Sequence, residues 1–310
     1  MKIITINEND SGQRLDKFLS KLLPTMPRSL LYKQLRNKRV KRNKKALSAQ
    51  DVLQCGDELY LYINDEFFGE VKEITAKSDG LSVVYEDENL LVCDKPAGQA
   101  SHGGDDSLLS MAQAYLFEKG EYNPKSENSF APALSNRLDR NTRGLLLVAK
   151  NAVAQKLLNE KIKNHEVTKK YRAILCSVPE EKSGRLIHYL KADEKENKVR
   201  VVKKETPGAK EAVLDYEVIK TENGKALAEI TLLTGRKHQI RVQFSKIGHP
   251  LLGDTKYGAP KDSRFRYQAL CAYSLTFDFQ GDSGVLENLK GKTVSIEEKM
   301  FEDVIFSCKI

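Results

Sequence analysis

One carboxylate stands among arginines in the stretch SNRLDRNTRGLLLVAK, residues 135–150. Asp139 is flanked by Arg137, Arg140 and Arg143, and a run of apolar residues follows at once. A guanidinium within a few ångströms favours the ionised form of an aspartate. Asp139 is therefore expected as a carboxylate at neutral pH, suited to act as a nucleophile or base and unsuited to donate a proton. The same arginines can clamp phosphates bidentately without losing their charge. The bland alternative is an exposed Asp139–Arg143 ion pair, worth well under about 1 kcal/mol. Metal and disulfide chemistry find little support. The five cysteines (55, 93, 176, 271, 308) never form a CxxC pair, and the five histidines (102, 165, 188, 238, 249) show no ligand spacing. The expectation is a reduced, cytoplasmic compartment with no metal site.

A reactive carboxylate needs a rigid support. GLLLVAK (144–150) reads as a buried strand, and strands present reactive residues on the loops at their ends. LSVVYED and NLLVCDKP before it read as strands, and SLLSMAQAYLFEKG as a helix. After it, AVAQKLLNEKIKN (152–164) reads as a helix and KKYRAILCSV (169–178) as a strand. Residues 180–225 read as charged hairpins, and KALAEITLLTGRKHQIRVQFSKIGHP starts as a strand and turns helical near His238. Strands and helices interleave without a steady βαβ rhythm, so the fold class is α+β.

The first 63 residues have a different texture. Residues 1–8 alternate as a short strand, and QRLDKFLSKLLP (13–24) puts Leu15, Phe18, Leu19, Leu22 and Leu23 on one helical face. SLLYKQLRN (29–37) reads as a second helix with Ser29 as its N-cap. Short strands follow, with turns at Asn43–Lys45 and Cys55–Asp57, and ELYLYI (58–63) is the last of them. Residues 64–80 lack a clear period and read as a linker, which divides the chain into 1–63, 64–80 and 81–310.

The chain of 310 residues is 40% hydrophobic and carries a formal net charge of +8, a balance that points to a polyanionic partner. The charge is concentrated. Between Arg28 and Lys45 lie nine basic residues and no acid. Arg28, Lys33, Arg36, Arg39, Lys41 and Arg42 belong to this stripe, opposite Leu30, Leu31 and Leu35, and such a stripe neutralises phosphates. The opening MKIITINEND has no apolar core of a secretory signal, and no stretch approaches the roughly 20 apolar residues that span a bilayer.

Residues 136–150 resemble the signature of the RluA-type pseudouridine synthases, an R-L-D core leading through Thr and Gly into a buried strand. Other blocks fit in order: YEDENLLVCDKPAGQASHGG (85–104), TKKYRAIL (168–175), TGRKHQIRVQF with GHPLLGDTKYG (234–258), and ALCAYSLTF (269–277). Residues 13–63 resemble the S4-like RNA-binding domain, two helices on a small sheet. The resemblance implies a small N-terminal RNA-binding domain and a larger catalytic domain with a mixed, mainly antiparallel sheet flanked by helices and loops. It implies Asp139 as the catalytic aspartate, Tyr171 stacked on the target base, and Arg241 as the buried cation paired with Asp139, with Ile240 packed beside it. Arg236 and Gln239 would shape the site, and Lys95, Arg137 and Arg140 would lie near the RNA backbone or the cleft. The sequence departs from the family at Asn136, Arg143, Gln243 and Cys271.

The reaction so implied breaks a uridine's N-glycosidic bond, turns the uracil and rejoins it to C1′ through C5. Nothing is oxidised and no atom is lost, so no cofactor is expected. The partner would be RNA, ribosomal RNA of the large subunit first and transfer RNA second, met by a single copy of the chain away from any membrane. Two rivals remain: a non-catalytic ribosome-associated RNA-binding protein, and a metal-dependent nuclease built on Glu86–Asp87–Glu88. If the basic stripe grips RNA, the double variant Arg36→Glu, Arg39→Glu binds RNA more weakly and with a shallower dependence on salt, as titration at several ionic strengths would show.

Overall fold

Apolar periodicity sorts the chain into two units, each with its own core. The computed structural model describes residues 1–69, 73–262 and 265–296; residues 70–72 of the expected linker, and 297–310 with Cys308, lie outside the described residues. The first unit runs β1 (Lys2–Thr5), α1 (Leu15–Leu22), α2 (Arg28–Arg36), β2 (Val40–Arg42), β3 (Lys45–Ala46) and β4 (Glu58–Leu61). Its sheet has the order β1-β4-β2-β3 and is antiparallel throughout. Asn43 and Lys44 both take positive φ, 49° and 67°, as a two-residue hairpin turn that suits the strand twist requires. Leu15, Phe18, Leu19 and Leu23 pack with Leu31 and Leu35 over Leu59 and Leu61. That is the expected face of α1, meeting the leucines of α2.

α2 begins two residues earlier than its serine suggests. Pro27 occupies the N-cap with φ −57° and no side-chain cap bond forms, so Ser29 lies inside the helix. The proline ring fixes φ near the value that leads into the helix, while no side chain caps the first-turn amides. Phe67 and Phe68, inside the segment read as a linker, pack against the first core, and the Lys2 ammonium sits 4.3 Å from the Phe68 ring centre.

The second unit comprises β5 (Val83–Glu86), β6 (Leu90–Lys95), α3 (Leu108–Glu118), β7 (Ala133–Leu134), β8 (Arg143–Ala149), α4 (Ala152–Lys163), β9 (Val167–Leu175), β10 (Ser183–Asp193), β11 (Lys198–Val202), β12 (Lys210–Glu222), β13 (Lys225–Leu232), α5 (Gln239–Lys246), β14 (Leu270–Phe277) and β15 (Thr293–Ser295). Its sheet runs β11-β10-β12-β13-β9-β14-β8-β6-β5, with β15 on β14 and β7 on β8. The fold is α+β with a mainly antiparallel sheet, and β8 with β14 is its parallel pair among the described residues. Asp10, fully buried, accepts hydrogen bonds from Asn128 Nδ2 at 2.9 Å and Ser129 Oγ at 2.6 Å, and so ties the first unit to the second.

The parallel pair depends on one glycine. Gly144 at the start of β8 takes φ +135°, and a Cβ there would lie 2.3 Å from the Ala272 carbonyl oxygen on β14. No side chain fits without parting the two strands. Gly144→Ala is expected to cost roughly 3 kcal/mol, from overpacking together with the unfavourable φ, and urea unfolding would measure it.

Candidate active site

Asp139 lies on the loop that enters β8, and that loop is tied down at nearly every residue. Asn136 Nδ2 donates to the Leu145 carbonyl at 3.1 Å, and the Leu147 amide donates to Asn136 Oδ1 at 2.8 Å. Ser101 Oγ donates to the Leu138 carbonyl at 2.8 Å. The Thr142 amide donates to the Asp139 carbonyl at 3.0 Å, and the Gly98 amide to the Arg140 carbonyl at 2.9 Å. Asn136 therefore has a structural task, closing the loop onto the strand it feeds.

Lys95 completes the clamp and corrects an expectation. It is fully buried, so it does not meet RNA. Its ammonium donates to the carbonyls of Pro96 at 2.9 Å, Gln99 at 2.9 Å and Arg140 at 3.0 Å. Burial lowers its pKa to about 8, against the pull of Asp139 and Asp94. It remains charged near neutral pH and holds two loops together. Arg143, which read as a possible partner of Asp139, turns to Asp94 on β6 instead, at 2.7 Å.

The partner of Asp139 is Arg241, one turn into α5. Arg241 Nη1 donates to Asp139 Oδ2 at 3.1 Å. Its Nε and Nη2 donate to the two oxygens of Asp254 at 2.7 and 2.8 Å, and both of those side chains are buried. Burial would lower the guanidinium's pKa, but the hydrogen bonds and charges of Asp254 and Asp139 outweigh it and raise it. Oδ1 of Asp139 has no hydrogen-bond partner among the described residues, and the side chain is 26% exposed. One oxygen is thus held while the other is left to a ligand.

A histidine closes the other side. His238, the left-handed residue at the N-cap of α5 with φ 53°, places Nε2 at 3.7 Å from Asp139 Oδ2. Its Nδ1 lies 2.7 Å from the Tyr257 hydroxyl, which in turn accepts the Val199 amide at 2.9 Å. With that hydroxyl donating to Nδ1, the ring proton sits on Nε2 and faces Asp139. Burial drives the His238 pKa down to about 4, and Arg241, Lys256 and Lys237 add to this against the pull of Asp139. The ring is therefore neutral at physiological pH.

These groups face a cleft of about 650 Å³. Tyr171 on β9 reaches it while 7% exposed, with Ile240 packed in the same core cluster. Burial, and then the charge of Asp139, raise the phenol's pKa, so it stays protonated. Arg137 and Arg236 are exposed residues of the cleft wall, and Arg236 Nε donates to the Glu211 carbonyl at 2.9 Å. Arg140 is exposed beyond it. Gln239 turns inward: its side-chain oxygen accepts from Thr234 Oγ1 at 2.8 Å and from the Arg236 amide at 3.0 Å, which fixes the wall loop.

On the first unit, Arg28, Lys33, Arg36 and Arg39 are exposed. Lys41 lies 5.4 Å from the Tyr62 ring centre, and Arg42 is committed to Asp57 at 2.8 Å. The acids Glu86 and Asp87 are engaged locally. Glu86 accepts from Lys119 at 2.6 Å and Lys150 at 3.1 Å, and Asp87 caps the turn into β6. Sequence reasoning passed over His238, Asp254 and Tyr257. Their signal was present, since His238 lies inside TGRKHQIRVQF and the other two inside GHPLLGDTKYG.

The neutral His238 has a signed consequence for stability. Its folded pKa of about 4 lies below its ordinary 6.5, so the unfolded chain takes up the proton first as pH falls. Its part of the stability is full above about pH 6.5 and is lost on the way down to about pH 4. His238→Gln removes that part, so urea unfolding should show a smaller drop between about pH 7 and about pH 5 in the variant than in the wild type.

Comparison with known proteins places the chain among relatives. The family described as RNA pseudouridylate synthase matches residues 89–246, which contain Asp139, Tyr171, His238 and Arg241. A Bacillus subtilis protein named an uncharacterized RNA pseudouridine synthase is 32% identical over 275 residues, 89% of each chain. A ribosomal large subunit pseudouridine synthase C of Rickettsia conorii is 33% identical over 271 residues, 83% of this chain and 85% of that one. The solved human RNA pseudouridylate synthase domain containing 1 shares the fold, with TM-score 0.58 and 22% identity over 74% of this chain and 88% of that one. A family match over half of the chain, and relatives of this length and identity, lead to one conclusion: the chain belongs to the RNA pseudouridylate synthase family.

Proposed function

We propose that this enzyme converts specific uridines of large-subunit ribosomal RNA to pseudouridine, with Asp139 as the reacting carboxylate. The observation that carries the reading is the asymmetry at Asp139: Oδ2 is held by Arg241 at 3.1 Å, while Oδ1 is free among the described residues in a cleft that Tyr171 also lines. The choice of RNA rests on the relatives named ribosomal large subunit pseudouridine synthase C.

The chemistry follows from these positions. The uridine leaves its stack and enters the cleft, where Tyr171 offers a ring face to the base. Asp139, ionised, either attacks C1′ or takes a proton from C2′, and in both cases the N1–C1′ bond breaks. The uracil, released as its N1 anion, turns against Tyr171 and bonds through C5 to C1′. This displaces Asp139 from C1′ in the first route, or is joined by return of the proton from Asp139 to C2′ in the second. C5 then loses its proton while N1 gains one through a base or water. Arg241 holds and aims the carboxylate, and the neutral His238 adds no competing cation. The first unit, S4-like in this reading, positions the folded RNA by its phosphates through the exposed face of α2.

Asp139→Asn keeps the size of the side chain and removes its charge. The variant is expected to fold and to bind RNA with near wild-type affinity, and to give no pseudouridine. Tritium release from RNA labelled at uridine C5 reads this directly, and measurable turnover in the variant would sink the assignment. Mapping pseudouridines in ribosomal RNA of a deletion strain beside its parent tests the substrate.

A further inference from the structure

Three lysines gather on one turn at the rim of the cleft. Asn197, between β10 and β11, takes a left-handed φ of 48°. Its side-chain oxygen accepts from Lys237 Nζ at 2.5 Å, and its carbonyl oxygen accepts from Lys256 Nζ. Lys198 follows it and is half-buried, as is Lys256, while Lys237 is exposed on the cleft wall beside His238. The three ammonium groups are close enough to feel one another: Lys256 is pushed below its ordinary pKa by burial first, then by Arg241, Lys237 and Lys198.

No carboxylate pairs with Lys198, Lys237 or Lys256 among the described residues. Two acids on the adjoining segments are already occupied, Glu196 by Arg200 at 2.6 Å and Asp254 by Arg241 at 2.7 Å. A neutral asparagine holds like charges together here, and each lysine it anchors has donors to spare. Gathering cations without a counter-charge costs folding free energy, which an arriving polyanion would offset. The spacing of the partners from the cleft also matters. Lys237 is next to the residue that faces Asp139 and lines the same cleft, so whatever the lysines hold lies beside the nucleotide in the cleft.

We propose that Lys198, Lys237 and Lys256, gathered on the Asn197 turn, form a seat for the RNA backbone phosphates that flank the uridine in the cleft. The proposal rests on the RNA-modifying reading above and adds a second, short-range grip to the one on the first unit. The seat touches phosphates and not the base, so it acts on binding and positioning.

The test uses the full chain with unmodified large-subunit ribosomal RNA transcribed in vitro, and three variants: Lys237→Gln with Lys256→Gln, Lys237→Arg with Lys256→Arg, and Asn197→Ala. Binding is titrated across a range of salt. The Gln pair should bind about tenfold more weakly at moderate salt, with the slope of log affinity against log salt smaller by about 1.5, the share of two phosphate contacts. The Arg pair should keep the wild-type slope, and Asn197→Ala should fall between. At saturating RNA the Gln pair should form pseudouridine at the wild-type rate, so that KM rises and kcat does not. Wild-type affinity and slope in the Gln pair would overturn the proposal. So would weaker binding with an unchanged slope, which would mean a disturbed fold and not a lost charge contact. Should the wild-type chain bind this RNA but make no pseudouridine, the proposed substrate fails while the salt slope still decides the seat.

Discussion

The site depends on a guanidinium buried between two carboxylates. Arg241 gives one edge to Asp254 in a bidentate pair and has Nη1 left for Asp139. The pairing with Asp254 is what lets a cation reside at that depth, because a buried charge without a partner costs several kcal/mol. Asp139 then meets a cation whose position is already fixed. It is steadied by a single bond and is not enclosed. A carboxylate held on both oxygens would be well placed but poorly able to react.

Around this centre the protein solves a second problem, keeping a loop still without covering it. The main chain from Asn136 to Thr142 is fastened from behind, by β8, by Ser101 and by the ammonium of Lys95. Carbonyls, and not acids, receive that ammonium, so it adds no ion pair that would compete for Asp139. The close approach of Gly144 to Ala272 brings β8 and β14 together directly behind the loop, and Tyr171 stands opposite Ala272 on β9. Asp139 and the Tyr171 ring are thus set by two strands of one sheet, β8 and β9, with β14 between them, which holds their separation more firmly than two loops could.

Much of this fold was legible because period and burial agree. α1 shows the face that Leu15, Phe18 and Leu19 announced, and GLLLVAK is the buried strand its composition implied. The misreadings have physical reasons. The resemblance puts Lys95 near the RNA backbone or the cleft, and the three carbonyls that converge on it from two loops, burying it fully, leave no mark in local sequence. Arg143 was grouped with Asp139 by proximity along the chain, yet strand pairing turns its side chain to Asp94 on the adjacent strand. The link from Arg241 to Asp139 spans 102 residues and was reachable only through the family resemblance. His238 looked ordinary because its role comes from an unusual backbone angle and from a tyrosine far along the chain.

The crossing of β8 with β14 also has a meaning in time. A chain leaves the ribosome from its N-terminus, and the strand that carries Asp139 on its leading loop is made long before α5, Asp254 or β14 exist. Until those later segments arrive, the carboxylate has neither its cation nor the strand that backs its loop. The first unit closes its own sheet within its first 61 residues, where β1 meets β4, and can fold early. Synthesis of this protein therefore completes the first unit's sheet well before it completes the cleft, and the step from one to the other waits on the last third of the chain.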